Sequence, residues 1–475
     1  MKYRATIGLE VHVELKTNSK MFCSCKNDSE ETKPNVNVCP VCMGHPGTLP
    51  TMNEDAIRRV IKVGLAMGCE INKSTYFERK NYFYPDLPKG YQISQYAYPL
   101  CKDGHSYING AKIIVERIHL EEDTARLVHD GKDTLVDFNR AGVPLMELVT
   151  DPDFDNAEDA QKFAQELQLI LRYLDVSNAD MERGQMRVEA NISISATRKL
   201  GTKVEIKNLN SFKVVGKAID YEIKRQTEVL DSGGEVIQAT RGWDDKKQVT
   251  VPQRTKEEAH DYRYFPEPDL PPLELDDKLI DEIRLEVTEL PDQKRVRFRD
   301  QFKIKDEDIE TFVLNRDLSE FYEKVLSEFK EWSGKDDLGQ VTANYITSDL
   351  LGLMKGQTFS EDELKISPEN FAEFINLVHS KEINSKIAKI VLLEMFKTGK
   401  DPSDIIKDEG LSKMDDSNEL EEVVQKVIDG NSKAIDDYKK GKGNALQFLI
   451  GQVMAQTKGR ANPEVLEKLF TKLIK

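Results

Sequence analysis

Carboxylates and a histidine recur at alternate positions in segments that are otherwise apolar. Glu10 and His12 alternate with apolar residues over residues 7–15, and Glu147 lies inside the apolar run 143–149. A charge in such surroundings must be paired or must bind something, because its removal from water is costly. Carboxylates with one imidazole suit Mg²⁺, which prefers oxygen ligands and accepts substrate phosphates. These positions therefore suggest a magnesium-dependent phosphate chemistry.

Two simpler interpretations compete with a metal site. The polar positions fit the water-facing side of a half-exposed sheet, because side chains alternate across a strand. Glu147 can instead be explained by a buried ion pair with Arg140 or Arg126. The acidic stretch at residues 121–123 is compatible with each interpretation.

Four of the six cysteines form two close pairs separated by thirteen residues. Thiolates in this arrangement match a structural zinc site, with four reduced core thiols as the alternative. A redox dithiol would leave one pair without a role. A disulfide scaffold is disfavoured because the chain is long and begins directly on a strand pattern, with no export signal. Cys69 and Cys101 are expected to be packing residues. The candidate zinc ligands are Cys23, Cys25, Cys39 and Cys42.

Two stretches combine cations, aromatic rings and turn residues. Residues 79–91 and 254–268 are each expected to form a loop. Aromatic faces stack on nucleobases and cations hold phosphates, so such loops suit a nucleotide or RNA. Structural corners have the same composition, and the two interpretations stay open.

The elements that position these residues are predicted from periodicity. Residues 186–195 and 203–208 alternate between apolar and polar, as residues 7–15 do, and Gly201 between them predicts a hairpin. The polar positions include Glu189, Asn191, Glu205 and Lys207. Three strands that mix carboxylate, imidazole and cation on one face are unusual for a solvated surface.

Proline divides the chain of 475 residues into two regimes. Fifteen of the 18 prolines precede residue 301, and the rest of the chain shows three- and four-residue apolar spacing that predicts helices. Residues 401–403 mark a break. We therefore predict an α+β protein with a sheet-rich catalytic domain at 1–292, a helical domain at 293–405 and a small helical domain at 406–475.

Composition excludes some classes of protein. No apolar run approaches the roughly 20 residues that a membrane span needs, so a cytoplasmic protein without membrane contact is expected. The net charge of −16 argues against nucleic acid at first sight, because phosphate binders are usually basic. No Walker-type loop occurs, so any ATP must be bound in another way.

Long motifs resemble those of the GatB family, the B subunits of bacterial aspartyl/glutamyl-tRNA(Asn/Gln) amidotransferases. They include KNYFYPDLPKGYQISQY (80–96), HLEEDTARL (119–127), DFNRAGVPLMELVTDPD (137–153), MRVEANISI (186–194), VEIKNLNSF (204–212) and HDYRYFPEPDLPP (260–272), together with residues 7–15 and the CxC…CPVCMGHPGTLP segment. Residues 441–470 are similar to the tail domain shared with YqeY-like proteins. The resemblance covers the whole chain and implies a mixed, largely antiparallel sheet cradle with a zinc-type knuckle.

The resemblance implies a ligase reaction. ATP phosphorylates the side-chain carboxylate of Glu or Asp on a mischarged tRNA, and ammonia then displaces phosphate to give Gln-tRNA or Asn-tRNA. Phosphoryl transfer needs positioning and charge neutralisation by metal ions and cations. The implied catalytic residues are Glu10, His12, Lys80 and Lys207. The implied Mg²⁺ ligands are His12, Glu121, Glu122 and Glu147. The implied ATP and substrate cradle contains Arg79, Glu189, Asn191 and Glu205.

The resemblance also implies partners. An amidase, the A subunit of the complex, would supply ammonia from glutamine, and a small C subunit would complete a heterotrimer. The tail would bind tRNA. Residues 439–475 carry a net charge of +6, so the first 438 residues carry −22. A solvated basic helix explains the tail equally simply. The candidate tRNA-binding residues are Lys439, Lys440, Lys442, Lys458 and Arg460.

Two rival functions remain. A non-catalytic, zinc-dependent RNA-binding scaffold would explain the cysteines and the basic tail without the carboxylates. A protein that serves glutamyl-tRNA alone, as in the archaeal cousin family, normally carries a large inserted domain, and 475 residues leave no room for one. The resemblance implies Glu-tRNA, Asp-tRNA or both as substrates.

Overall fold

A computed structural model describes residues 2–28, 30–255, 262–332, 338–357, 359–411, 417–440, 443–457 and 459–474. The chain forms two compact units, Met1–Pro291 and Asp292–Lys475. The further division of the second unit near residue 405 stays a prediction.

The first unit combines a large sheet, short strands and helices. Its strands are β1 Arg4–Glu14, β2 Glu70–Ile71, β3 Ser74–Thr75, β4 Glu78–Asn81, β5 Tyr91–Ser94, β6 Cys101–Ile108, β7 Ala111–Glu122, β8 Arg126–Asp130, β9 Asp133–Asp137, β10 Pro144–Thr150, β11 Met186–Ser195, β12 Val204–Leu209, β13 Ala239–Asp244, β14 Val249–Thr255, β15 Phe265–Pro266 and β16 Leu273–Glu274. Its helices are α1 Glu54–Ala66, α2 Ala157–Tyr173, α3 Phe212–Asp231 and α4 Asp277–Leu285.

Nine strands form one sheet in the order β14-β13-β12-β11-β1-β10-β7-β6-β2. Every pair is antiparallel except β12 and β13, which α3 connects. A parallel pair needs such a crossover, because its strands run in the same direction. The fold is therefore α+β with a largely antiparallel sheet, which confirms the predicted fold class.

Strand β1 lies in the middle of the sheet and is apolar on one face. Ile7, Leu9, Val11 and Val13 are fully buried, and helices α1, α2 and α3 pack against this side of the sheet. The polar positions of β1 point to the opposite face. There His12 is level with Glu147 on β10 and with Arg187 on β11.

Two predictions about strands had different outcomes. The predicted hairpin is confirmed, because β11 and β12 pair antiparallel. The prediction that residues 79–91 form a single loop was wrong at both ends. Strands β4 and β5 pair with each other, and β15 pairs with β4 through Phe265 and Arg79. This small sheet contacts β7, next to the polar face of the large sheet.

The second unit is helical throughout the part that the structure describes. Its helices are α5 Pro291–Arg297, α6 Asp306–Leu314, α7 Arg316–Trp332, α8 Gly339–Asn344, α9 Leu351–Met354, α10 Pro368–His379, α11 Ser385–Thr398, α12 Pro402–Asp408, α13 Ser417–Gly430, α14 Ser432–Lys439, α15 Gly443–Gln456 and α16 Pro463–Leu473. Wider π-helical turns span Phe298–Phe302 and Tyr345–Leu350, and a 3₁₀ turn spans Glu361–Glu363. No helix in the described ranges is long and apolar enough to cross a membrane.

Helix boundaries in this unit follow local capping chemistry. Helix α10 starts at Pro368 after Ser367, whose hydroxyl accepts a hydrogen bond from the Asn370 N–H. Asp401 caps α12 in the same way, and α11 ends at Thr398. Proline in a first turn costs no hydrogen bond, because that N–H has no partner within the helix. The break predicted near residue 400 is therefore confirmed.

Candidate active site

His12 is the centre of a cluster of carboxylates on the polar face of the large sheet. Its Nε2 lies 3.3 Å from Glu147 Oε2, 3.6 Å from Glu121 Oε1 and 3.7 Å from Glu10 Oε1. The residues come from β1, β7 and β10, three neighbouring strands whose register places them side by side. The alternation that suggested a site in the sequence therefore brings these four side chains together.

Glu147 has partners other than the arginines considered from the sequence. Its carboxylate contacts His119 Nε2 at 3.5 Å and Arg117 Nη2 at 3.7 Å. The predicted ion pair of Glu147 with Arg140 or Arg126 is therefore wrong. Arg140 Nε lies 3.4 Å from Asp123 Oδ2 instead. Arg117 and His119 share one face of β7 with Glu121, because they precede it by four and two residues.

His119 is a site residue that the sequence reasoning did not select. It is buried, and among the residues that the structure describes its Nδ1 has no hydrogen-bond partner. The two-residue spacing between His119 and Glu121 was the available signal, because that spacing places both on the same face of a strand. The adjacent acidic residues 121–123 obscure that spacing in the sequence.

Burial and mutual repulsion raise the pKa of some carboxylates in the site, whereas the neighbouring His119, His12 and Lys80 hold that of Glu147 well below its ordinary value. Burial, together with the nearby Glu147, raises the pKa of Glu10 to about 7. Burial also raises the pKa of Glu121. Burial opposes a charge on His12, but its hydrogen bond to Glu147 and the surrounding carboxylates raise the pKa of His12 to about 9. A cation bound among these groups would relieve this repulsion.

Three overlapping sets of side chains in this cluster could hold a metal ion. In each set the ligand atoms lie within 4.8 Å of one another. The sets are Glu10, His12 and Glu147; His119, Glu121 and Glu147; and Glu10, Glu189 and Glu205. Carboxylate oxygens dominate every set, which fits a hard divalent cation such as Mg²⁺.

Two lysines border the cluster from different sheets. Lys207 Nζ on β12 lies 2.8 Å from Glu189 Oε2 and 3.4 Å from Glu205 Oε1. Lys80 Nζ on β4 lies 5.2 Å from the centre of the Tyr262 ring. Burial would lower the pKa of Lys80, but the carboxylates of Glu121 and Glu147 raise it above its ordinary value. Both ammonium groups are therefore charged beside the cluster.

Asn191 belongs to the same polar surface. It lies on β11 level with Glu205 on β12 and with Gly8 on β1. Its Oδ1 is buried and accepts no hydrogen bond from the residues that the structure describes. A buried amide oxygen without a donor is unusual, because an unmet hydrogen bond is costly. Asn191 Oδ1 can therefore accept a hydrogen bond from a bound molecule.

Two predicted site residues are not brought to the cluster. Arg79 points away from Lys80 and binds Glu267 through two hydrogen bonds of 2.7 Å. Glu122 points away from Glu121 and contacts Lys89 Nζ through Oε2 at 2.6 Å. Neighbouring residues on a strand point to opposite faces, so only one residue of each adjacent pair can face the cluster.

Comparison with known proteins identifies the family. A model described as the GatB/GatE catalytic domain matches residues 5–281, and one described as the GatB domain matches residues 327–474. The chain belongs to the GatB family. The B subunit of the aspartyl/glutamyl-tRNA(Asn/Gln) amidotransferase of Caldanaerobacter subterraneus subsp. tengcongensis is 46% identical, over 99% of both chains. The protein of that name from Carboxydothermus hydrogenoformans is 46% identical, over 99% of this chain and 98% of its own length. The one from Persephonella marina is 45% identical over the full length of both chains.

Membership of the GatB family confirms the predicted resemblance. The relatives are named as amidotransferases, so the chain belongs to a ligase-type enzyme family. The matches extend over nearly the full length of each relative. The His12 cluster lies within the part that matches the GatB/GatE catalytic domain.

The four paired cysteines of this GatB-family chain form a second cluster. Their sulfur atoms lie within 4.8 Å of one another, and the Cys39 N–H donates a hydrogen bond of 3.2 Å to Cys42 Sγ. The contact with Cys23 lowers the pKa of Cys42 to about 4. Four sulfur donors at this spacing fit a zinc ion. Cys69 and Cys101 are buried in the core of the first unit, as expected of packing residues.

The basic tail of this GatB-family chain is described in part. Lys439 ends α14 and is exposed, as is Lys440. Arg460 Nε donates a hydrogen bond to the Thr457 carbonyl oxygen. Lys442 and Lys458 lie outside the described residues. Binding of tRNA by these five cations stays a prediction.

Proposed function

We propose that this chain activates and amidates the amino acid of a mischarged tRNA. The substrate is Glu-tRNA(Gln), Asp-tRNA(Asn) or both. A side-chain carboxylate oxygen attacks the γ-phosphorus of ATP, the bond to ADP breaks, and an acyl phosphate forms. Ammonia then attacks the acyl carbon, phosphate leaves and ammonia loses a proton. Activation is needed because a carboxylate is a poor acyl donor.

The arrangement around His12 carries this proposal. A solvated surface rarely brings three carboxylates within 3.7 Å of one imidazole. The same arrangement is a suitable site for Mg²⁺. Bound there, Mg²⁺ would neutralise charge on the transferring phosphoryl group. His12, Glu121 and Glu147 would hold the ion, with Glu10 close enough to join them. Glu122 contacts Lys89 instead, so the proposal does not assign it to the ion.

The two lysines would hold phosphate groups. Lys80 and Lys207 carry charged ammonium groups on either side of the carboxylates, which suits the ends of a triphosphate or the leaving phosphate. Glu189, Glu205 and Asn191 complete the polar surface around them. Arg79 would stabilise the strand that carries Lys80, because it pairs with Glu267 on the opposite face of β4.

The remaining features suit an enzyme built from several different chains. The relatives are named as the B subunit of an amidotransferase, so further subunits are expected. An amidase, the A subunit, would release ammonia from glutamine, and a small C subunit would complete a heterotrimer. The cysteine cluster would hold structural Zn²⁺, and the basic tail would bind the tRNA backbone.

The proposal is tested by replacing the residue at the centre of the cluster. In the purified complex, His12→Ala should abolish ATP-dependent acyl-phosphate formation, trapped with hydroxylamine. Glutamine hydrolysis by the partner should continue. His129→Ala is the matched control, because His129 is exposed on the β8–β9 hairpin. Normal transamidation by His12→Ala would rule out this site.

A second experiment separates the rival functions. Purified complex is given Glu-tRNA(Gln) or Asp-tRNA(Asn), with and without ATP, and the amino acid released from the tRNA is identified. ATP-dependent conversion of either to its amide supports the enzyme. Tight tRNA binding without conversion, together with tolerance of substitution at Glu10 and Glu147, would instead favour the RNA-binding scaffold.

A further inference from the structure

Lys20 is a fully buried lysine beside the cysteine cluster. None of its surface is exposed. Its Nζ lies 3.9 Å from Cys42 Sγ and 3.3 Å from the Phe138 carbonyl oxygen. Within the described part of the chain, no carboxylate pairs with this ammonium. A buried ammonium without a counter-charge is strongly unfavourable, so its charge must be balanced by something nearby.

The main chain of Lys20 is fixed to the same cluster. Its N–H donates a hydrogen bond of 2.9 Å to the Cys25 carbonyl oxygen, and the next N–H, of Met21, donates to Gly142. Gly142 has a φ of +86°, and a Cβ there would lie 3.5 Å from both Lys20 Cδ and Cys42 Cβ. The Lys20 side chain thus passes Gly142 and extends from the first cysteine pair to the second.

The chemistry of the cluster supplies the missing counter-charge. Four thiolates around a divalent ion carry a net charge of −2, and a positive group in contact offsets part of it. Groups beside metal ligands fix their orientation and tune the affinity of the site. Cys42 is the ligand that receives both the Lys20 ammonium and the Cys39 N–H.

We propose that Lys20 is a positioning residue of a zinc-class metal site, whose ammonium offsets the charge of the four-thiolate cluster and slows release of the ion. The inference rests on the proposed zinc site and is independent of the proposed transamidation. It also explains why a lysine, which is rarely fully buried, lies here without a carboxylate partner.

The alternative is that Lys20 only fills space. Methionine has a similar length and no charge, and replacing a buried charge with an apolar group of similar volume is often neutral. Lys20→Met should therefore leave a space-filling role intact but remove the charge. Lys20→Arg keeps the charge in a bulkier group.

The test measures metal release from the full chain. Wild type and variants are loaded with zinc and mixed with excess EDTA, and the zinc left in the protein is followed over time. We expect release from Lys20→Met to be roughly 10–100-fold faster and release from Lys20→Arg to stay closer to wild type. Lys26→Met is the matched control, because Lys26 follows Cys25 directly but its side chain is 70% exposed and pairs with Asp28.

Each remaining outcome is decisive. Unchanged release from a folded, zinc-loaded Lys20→Met would overturn the proposal, as would wild-type protein that takes up neither Zn²⁺ nor Co²⁺. If Lys20→Met does not fold, Lys20→Gln, which can still donate to the Phe138 carbonyl, should show the accelerated release instead, and unchanged release from it would overturn the proposal. Melting of the metal-free proteins provides the structural readout, because lost packing would lower that stability as well. Wild-type complex that retains zinc, with faster release from Lys20→Met, but does not carry out transamidation would count against the proposed function alone.

Discussion

Glu147 is shared by two histidines whose protonation differs. Its Oε2 lies 3.3 Å from His12 and 3.5 Å from His119. The pKa of His12 is raised to about 9, whereas burial lowers that of His119 to about 4. Near neutral pH one ring is therefore charged and the other is neutral. A neutral imidazole is the form that binds a metal, so His119 is ready to do so, while His12 must first release a proton.

Lys80 and Arg79 provide a prediction at the scale of single residues. Lys80→Met should lower the rate of ATP-dependent carboxylate phosphorylation by roughly 100-fold, because it removes one charged donor from the transferring group. The measurement is ADP release in the presence of mischarged tRNA, under saturating ATP. Arg79→Met is the matched comparison, since the adjacent side chain pairs with Glu267 on the other face of β4.

The comparison separates chemistry from folding. Arg79→Met should lower the melting temperature, because it leaves a buried carboxylate unpaired, while the protein that stays folded keeps most of its phosphorylation rate. Equal losses of rate in the two variants would contradict the assignment of opposite faces.

The site was predictable from the sequence only where the neighbours of a residue define its face. Glu10 and His12 alternate with apolar neighbours, so their common face follows from the period of a strand. Adjacent cations or carboxylates, as at residues 79–80 and 121–122, give no such signal. Which of two adjacent residues faces the site depends on what packs against each face of the strand. That packing involves strands that are distant in the sequence.

Strands that pair with distant segments of the chain were also the hardest secondary-structure elements to predict from the sequence. The hairpin of β11 and β12 is local, and its turn residues are visible. The small sheet of β4, β5 and β15 is not, because its third strand follows β4 by about 185 residues and its connecting loop is rich in proline and glycine. Helix ends were easier to predict, since Ser367, Asp401 and the prolines after them act locally.

The junction of α5 and α7 provides a prediction at the scale of elements. Glu323 on α7 lies 3.1 Å from the buried Lys294 Nζ and 2.8 Å from Arg297 Nη1. Burial would raise the pKa of Glu323, but the hydrogen bond from Arg297 and the charge of Lys294 hold it below its ordinary value. The ionised form therefore stabilises the folded helices.

The sign of the pH effect follows from that direction. A carboxyl with a lowered folded pKa adds stability above its unfolded pKa of about 4.3 and loses it as pH falls through the folded value. At pH 7, Glu323→Gln should lower the free energy of unfolding by about 1–3 kcal/mol. The two proteins should begin to converge as pH falls below about 4.3 and should become equal only below the folded pKa. Urea unfolding in a Trp243→Phe background leaves Trp332 as the fluorescent reporter for the second unit, and a pH-independent difference would contradict the prediction.

At the scale of the whole molecule, charge is unevenly distributed. The net charge of −16 combines a +6 tail with −22 in the preceding residues. Carboxylates concentrated around His12 account for part of the negative charge and suit a metal rather than RNA. A single net charge therefore averages two regions of opposite sign. The proline distribution did predict the change from a sheet-rich to a helical region.

The tail provides a prediction at this scale. Lys439→Gln, Lys440→Gln and Arg460→Gln combined in the full chain should weaken tRNA binding at low salt. The slope of log K against log salt should fall by about 2, because each phosphate contact contributes roughly 0.7–0.9. Filter binding over a range of KCl concentrations measures both quantities. The control combines Lys224→Gln, Lys278→Gln and Arg284→Gln, whose side chains are exposed on α3 and α4. Equal effects of the two triple variants would exclude the tail as the main contact.

The central position of β1 has a consequence for synthesis on the ribosome. The Leu9 N–H donates to Thr150 Oγ1 across 141 residues of chain, and β11 follows still later. At roughly 5–20 residues per second, translation of that separation takes roughly 7–28 s. During this interval β1 has no partner from the large sheet on either edge. Free strand edges associate with other chains, so we expect the nascent chain to be most prone to association until β10 and β11 emerge.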